Sequence, residues 1–162
     1  MTIGVDFDVR GVVQLAGPEA SATLQTFPPR VDGIALPRTS AGLALLMSDF
    51  VFHPDMHVAL ETVIHYRDGG ERRQEHSFRI DPIGIHVLID ERGDDEASRG
   101  AKVAWLARRR DNTNRLQPPV PIFLVRVDNP EPERELASLS LVARSAPFVL
   151  AITALPPAAA KP

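Results

Sequence analysis

Short runs of apolar residues alternate with polar residues along most of the chain, and turn-forming residues separate the runs. Phe7, Val9, Val13 and Leu15 alternate with polar positions, and this period of two is typical of a half-buried β-strand. A linker follows over residues 16–29. The fifteen prolines and ten glycines are spread between the apolar runs, which argues against long helices. The pattern therefore predicts an all-β protein.

In three segments the pattern of apolar residues does not decide between a strand and a helical conformation. Residues 42–52 are apolar on both faces and are predicted to form a central strand, with a short buried helix over residues 41–47 as the alternative. Residues 102–107, around Trp105, are predicted to form a strand, with a helix over residues 96–110 as the alternative. Within the linker, residues 19–27 are a candidate for a helical turn.

The clearest hairpin signal lies in the middle of the chain. Residues 58–67 and 75–80 flank the sequence Asp68-Gly69-Gly70-Glu71. An Asp-Gly pair supplies the positive φ angles that a tight turn between antiparallel strands requires. The loop is longer than two residues, so its turn type stays open.

Further short strands and one charged loop complete the pattern. Residues 91–100 are charged and contain glycine, so we expect an exposed loop there. About eight or nine strands at near-regular spacing predict a two-sheet antiparallel β-sandwich or a barrel. We expect one domain over residues 1–155 and a disordered tail rich in proline and alanine over residues 156–162. The remaining predicted strands span residues 83–89, 122–127, 135–143 and 147–155.

The composition narrows the classes of function. The chain has 162 residues, no cysteine and a formal net charge of −3. Disulfides, thiolate metal sites and cysteine nucleophiles are therefore excluded. No broad basic field is expected to attract nucleic acid, and no apolar run is long enough to span a membrane. The N-terminus lacks the features of a secretory signal, so we expect a cytoplasmic protein.

An ordered set of motifs near the C-terminus carries a family resemblance. Together they resemble the closing motif of galactose-binding-like, jelly-roll sandwich modules, and segments 7–15, 31–34, 64–70 and 103–105 match the same family in order. The resemblance implies a jelly-roll fold and a bacterial accessory module, often attached to regulators or to carbohydrate-active enzymes. This chain has Val127 where such modules carry tryptophan. The closing motifs are Val127-Asp128-Asn129-Pro130-Glu131-Pro132, Leu136, Ala137-Ser138-Leu139, Ala146-Pro147-Phe148 and Ala151-Ile152-Thr153.

Asn129 also has a purely structural interpretation. With Pro130 it would open a turn before a strand. On that basis, replacing Asn129 by alanine is expected to lower the stability by about 1 kcal/mol.

The histidines give the main metal-site hypothesis. His53, Asp55 and His57 are close enough in sequence to share a zinc ion, and the alternative is a solvated loop with no metal. Because no third strong ligand is visible nearby, we assign no metal. His65 and His76 lie on hairpin partners and are either a cross-strand pair or separate surface histidines.

Two charged clusters have equally plain interpretations. The acidic residues within 90–96 lack the spacing of an EF-hand, so a solvated loop is expected rather than a calcium site. Arg108-Arg109-Arg110 would suit a phosphate group or an acidic partner, but with acidic residues around it and no interleaved aromatic rings we expect an exposed loop.

No catalytic motif is present. The sequence contains no nucleophile elbow, phosphate loop, dinucleotide fingerprint or zinc-protease helix. The serines of the predicted strands (Ser48, Ser77, Ser138 and Ser140) lack a visible base. We therefore expect a protein that is not an enzyme and needs no cofactor.

Trp105, Tyr66 and Arg67 are the candidate ligand contacts. Trp105 and Tyr66 are the only aromatic rings with a polar tip, although Trp105 in a predicted strand also suits a core position. The expected function is a non-catalytic recognition module for a protein partner or for self-association. Because few aromatic rings are present for stacking on sugars, a carbohydrate-binding module is the alternative.

Overall fold

The computed structural model describes residues 5–51, 53–80 and 101–156, and it is all-β over these ranges. No helix long and apolar enough to cross a membrane occurs among them. The nine strands found there are β1 (Val13–Gln14), β2 (Arg30–Ala35), β3 (Gly42–Asp49), β4 (His53–Tyr66), β5 (Glu71–Ile80), β6 (Ala101–Arg110), β7 (Leu116–Asp128), β8 (Leu136–Ala143) and β9 (Pro147–Leu155).

The strands form two antiparallel sheets that pack together as a β-sandwich. The five-stranded sheet has the order β1-β9-β3-β7-β6, and the four-stranded sheet has the order β2-β8-β4-β5. The predicted two-sheet antiparallel sandwich is therefore confirmed. Residues 81–100, with the strand predicted over 83–89, lie outside the described residues, as does the tail from residue 157 onward.

β3 lies at the centre of the five-stranded sheet, between β9 and β7. All eight of its residues are buried, which explains why the sequence is apolar on both faces. The predicted central strand is confirmed, and the alternative helix over residues 41–47 is wrong.

The main hydrophobic core lies between the two sheets. Alternate residues of β3 (Leu43, Leu45 and Met47) point into it and meet Leu60 and other residues of the four-stranded sheet. The intervening residues of β3 point the other way, into a second apolar cluster on the outer face of the five-stranded sheet. The buried members of this outer cluster are Ala44, Leu46, Ile122, Leu124, Phe148 and Ala151.

The β4–β5 hairpin forms as the Asp-Gly signal predicts. Gly69 has a φ of 93°, a left-handed conformation that favours glycine. The Tyr66 amide donates to the Gly70 carbonyl at 2.8 Å, and the Gly69 amide donates to the Tyr66 carbonyl at 3.1 Å. These bonds fix the register, in which His65 lies opposite Glu71.

The N-terminal segment differs from the prediction. Only Val13–Gln14 pairs as a strand, at the edge beside β9. Phe7 instead packs its side chain against the outer cluster, although residue 7 is not in a strand. At residues 19–27, the candidate helical turn, the chain forms a series of tight turns, such as the one closed by the Leu24 amide and the Ser21 carbonyl.

A side chain joins the two sheets along one edge. Gln74 of β5 donates from Nε2 to the Arg126 carbonyl at 3.1 Å and accepts at Oε1 from the Asp128 amide at 3.0 Å. β6 pairs with β7 only up to Val125. Beyond that residue, the side-chain amide of Gln74 takes the place of a neighbouring strand as the hydrogen-bond partner of β7.

Candidate recognition surface

The hairpin of β6 and β7 extends beyond the strand that anchors it. β3 pairs only with residues 123–128 of β7, whereas β6 pairs with residues 116–125. Residues 105–110 and 116–122 therefore form a two-stranded ribbon that has no third strand among the described residues. This ribbon and its turn, residues 105–122, are called the β6–β7 arm below. Its strand conformation shows that the alternative helix is wrong over the described residues from 101 to 110.

The β6–β7 arm exposes large apolar side chains. Trp105 is 43% exposed, Leu106 is 42% exposed and Leu116 is 64% exposed. Because successive residues of a strand point to opposite faces, Trp105 and Leu106 present apolar surface on both sides of the ribbon. The interpretation of Trp105 as a core residue is wrong, since its side chain is 43% exposed.

The tip of the β6–β7 arm is held by one carboxylate. Asp111 Oδ1 accepts hydrogen bonds from the Thr113 amide and hydroxyl at 2.9 and 2.7 Å and from the Arg115 amide at 2.9 Å. These bonds, with the Thr113 hydroxyl contributing most, lower the pKa of Asp111. Asn114 adopts the left-handed conformation with a φ of 64° and donates its amide to the Asp111 carbonyl. The turn is therefore ordered by its own residues.

The β6–β7 arm is basic, whereas the rest of the chain is acidic. It carries four arginines and one aspartate, a formal net charge of +3. Because the whole chain has a formal net charge of −3, the residues outside the arm sum to −6. Arg110 and Arg115 are exposed at the tip. The structure places Arg108-Arg109-Arg110 in β6, so the prediction that they form a loop is wrong.

The other two candidate ligand contacts lie elsewhere. Tyr66 ends β4 in the four-stranded sheet and is only 3% exposed. Its hydroxyl donates to Asn129 Oδ1 at 2.7 Å, and the Arg134 guanidinium covers its ring at 3.9 Å. Arg67 is exposed in the hairpin turn, with Nε 3.6 Å from Glu135 Oε2. The structure therefore does not bring Tyr66 and Arg67 together with Trp105 in one sheet.

His53, Asp55 and His57 lie in β4 rather than in the predicted loop. His57 is mostly buried, and its Nε2 is 3.4 Å from Asp49 Oδ2. The Asp49 carboxylate also accepts from the Ser145 hydroxyl, so the contact of His57 belongs to a buried network that ties β3 to the start of β9. Among the residues that the structure describes, no group of three His, Asp or Glu side chains is arranged to hold a metal ion.

His65 and His76 do not face one another across the hairpin. His76 lies opposite Leu60 and is 3% exposed, so it is not a surface histidine. Its Nε2 lies 2.9 Å from the Thr62 hydroxyl. Burial lowers the pKa of His76 to about 4, so the ring is neutral at physiological pH.

Ser140, which the sequence left without a visible base, contacts His65. Its hydroxyl lies 2.8 Å from His65 Nε2, and His65 Nδ1 lies 3.8 Å from Glu71 Oε2. The Ser140 hydroxyl is also the main cause of the lowered pKa of Asp32. These residues come from four strands, and only the sheet order places them together.

This cluster is not arranged as a nucleophilic serine. Ser140 is only 1% exposed, which leaves no access for a substrate to its hydroxyl.

No known family model matches the chain, and no curated protein sequence matches it significantly.

Proposed function

We propose that the protein is a non-catalytic recognition module that binds a protein partner through the β6–β7 arm. The observation that carries the proposal is the exposure of Trp105, Leu106 and Leu116 on a ribbon that extends past its pairing with β3. Trp105 and Leu106 are adjacent in β6, and tryptophan is enriched among the residues that contribute most to binding energy.

The ordered tip of the β6–β7 arm supports this proposal. Binding costs less entropy when the contacting segment is already fixed in its bound conformation. The four hydrogen bonds that Asp111 accepts from Thr113, Arg115 and Gln117 fix the turn in the free protein. We also propose that the module belongs to the galactose-binding-like, jelly-roll class, on the strength of the ordered motifs and the two antiparallel sheets.

An affinity-capture experiment with two matched variants tests the proposal. Trp105→Ala removes the exposed ring of the β6–β7 arm, and Phe27→Ala removes a ring that is 40% exposed at a distant turn. We expect quantitative mass spectrometry to find partners that bind the unmodified protein and Phe27→Ala but are depleted at least about tenfold with Trp105→Ala. Equal recovery with both variants, at unchanged melting temperature, would contradict the proposal.

A carbohydrate-binding module is the second candidate, because Trp105 offers a partly exposed ring on which a sugar could stack. The burial of Tyr66 removes the second ring that a sugar site would use. A glycan array decides between the two functions. Selective binding that Trp105→Ala abolishes would favour the carbohydrate function, and a blank array with folded protein would contradict it.

A further inference from the structure

We propose that the β6–β7 arm binds an acidic polypeptide segment that carries an apolar side chain. This inference rests on the proposed function, since it names the chemistry of the partner for the same surface. It is carried by two independent features of the arm, its charge and its exposed apolar residues.

The charge of the arm selects an acidic partner. Four arginines are concentrated in residues 105–122, while the remainder of the chain has a formal charge of −6. The basic arm attracts carboxylates, whereas the described residues outside it carry eleven Lys or Arg against fourteen Asp or Glu. Electrostatic complementarity of this kind steers association and selects among partners.

Asp111, the one acidic residue of the arm, does not remove the attraction of the arm for an acidic partner. Its carboxylate is engaged by the amide and hydroxyl of Thr113, by the Arg115 amide and by Gln117 Nε2 at 3.0 Å. The Arg115 side chain remains exposed at the tip. The guanidinium of Arg110 donates to the Asn114 carbonyl at 2.9 Å and is also exposed.

The spacing on the arm limits the shape of the bound segment. Trp105 is six residues from Asp111 at the start of the tip turn, which corresponds to about 20 Å along the ribbon. An extended segment therefore needs about six residues from its apolar anchor to the carboxylates that meet Arg115 at the tip. Leu106 and Leu116 offer further apolar contacts on the ribbon.

A polypeptide fits these features better than a nucleic acid does. Proteins that bind single strands present successive aromatic rings for base stacking along a basic groove. Among the described residues of the arm, Trp105 is the only aromatic ring, and the other large exposed apolar residues are leucines. The acidic remainder of the chain would also repel a polyphosphate.

The test uses a display library of random peptides of about twelve residues, long enough to span the arm, selected on the immobilised full chain. Enriched peptides are then titrated by fluorescence anisotropy. Arg115→Glu reverses one charge at the tip, and Arg126→Glu makes the same change at an exposed position of β7 outside the arm. Trp105→Ala and Phe27→Ala form the second matched pair, and the melting temperature of each variant is measured.

We expect the enriched peptides to carry several Asp or Glu and one large apolar residue. Their affinity should fall at least about tenfold with Trp105→Ala and about fivefold with Arg115→Glu, and little with either control. It should also fall about tenfold between about 0.05 and about 0.5 M salt, because salt screens exposed charges.

The contrary outcomes separate the two proposals. Peptides that need Trp105 but are neutral or basic would overturn the acidic partner and leave the recognition function intact. Binding that is insensitive to both Trp105→Ala and Arg115→Glu would overturn both. A salt-sensitive dimer in sedimentation that Trp105→Ala abolishes would identify a second copy as the occupant. Tighter Arg115-dependent binding of an oligonucleotide or of phosphatidylserine vesicles would likewise overturn the peptide.

Discussion

At the scale of single residues, Asn129 makes more hydrogen bonds than the turn-forming role predicted from the sequence requires. The turn-forming role predicted for it is present, since Oδ1 accepts from the Glu131 amide at 3.2 Å. Two further bonds come from distant parts of the chain. Oδ1 also accepts from the Tyr66 hydroxyl, and Nδ2 donates to the Ser40 carbonyl at 2.8 Å. Asn129 therefore links three segments that the sequence alone does not connect.

Asn129→Ala should lower the free energy of unfolding by about 3 kcal/mol, because it leaves the buried hydroxyl of Tyr66 and the Ser40 carbonyl without this partner. Urea denaturation measures the change. Tyr66→Phe is the companion variant, and the double variant should lose clearly less than the sum of the two single losses. Strictly additive losses would show that the contact between Tyr66 and Asn129 contributes nothing.

His76 gives a pH dependence with a defined sign. Its pKa is about 4 in the folded protein against 6.5 for an exposed ring. The unfolded chain therefore binds the proton more readily, so stability is fully present above pH 6.5 and falls as the pH drops towards 4. The loss attributable to His76 is about 3 kcal/mol at the acid end of this range.

His76→Gln keeps a hydrogen-bonding group near Thr62 but does not titrate. Between neutral pH and the acid end of this range it should lose about 3 kcal/mol less than the unmodified protein. Urea unfolding across this pH range measures the difference between the two proteins. Parallel pH profiles would show that His76 does not titrate as its burial requires.

At the scale of elements, the sequence predicts a strand well where side-chain burial decides its pattern. The residues of β3 are apolar on both faces because the strand has an apolar cluster on each side. The alternation in residues 7–15 was misleading, because Phe7 is satisfied by packing on the outer cluster without a partner strand. The alternation of apolar and polar residues indicates which side chains are buried, and it does not indicate whether the backbone pairs with a neighbouring strand.

The Gln74 bridge gives a prediction at this scale. Gln74→Ala removes both bonds to β7 and should lower the free energy of unfolding by about 1 kcal/mol, since the site is exposed to solvent. The local effect should be larger, because the Asp128 amide loses its acceptor.

Amide hydrogen exchange measures this effect at a single residue. The Asp128 amide should exchange faster in Gln74→Ala. Gln74→Glu is the control, since a carboxylate still accepts from Asp128 but no longer donates to the Arg126 carbonyl. An unchanged exchange rate at Asp128 in Gln74→Ala would show that the side chain does not bridge the two sheets.

At the scale of the whole molecule, the two-sheet sandwich could be predicted from the sequence, but the candidate surface could not. Strand spacing and turn residues are local signals, and they were enough for the fold class. The exposure of Trp105 depends on where β7 separates from β3, and strand register is a long-range property. The same limit hid the contact of Ser140 with His65, because sheet order brings these residues together.

The central claim is that the β6–β7 arm is the surface that meets a protein partner. The most direct measurement is photo-crosslinking in the cells of origin, with p-benzoylphenylalanine in place of Leu116 on the arm or of Phe27 outside it. We predict a discrete crosslinked protein from position 116 and none from position 27. No crosslink from position 116, or the same products from both positions, would contradict the claim.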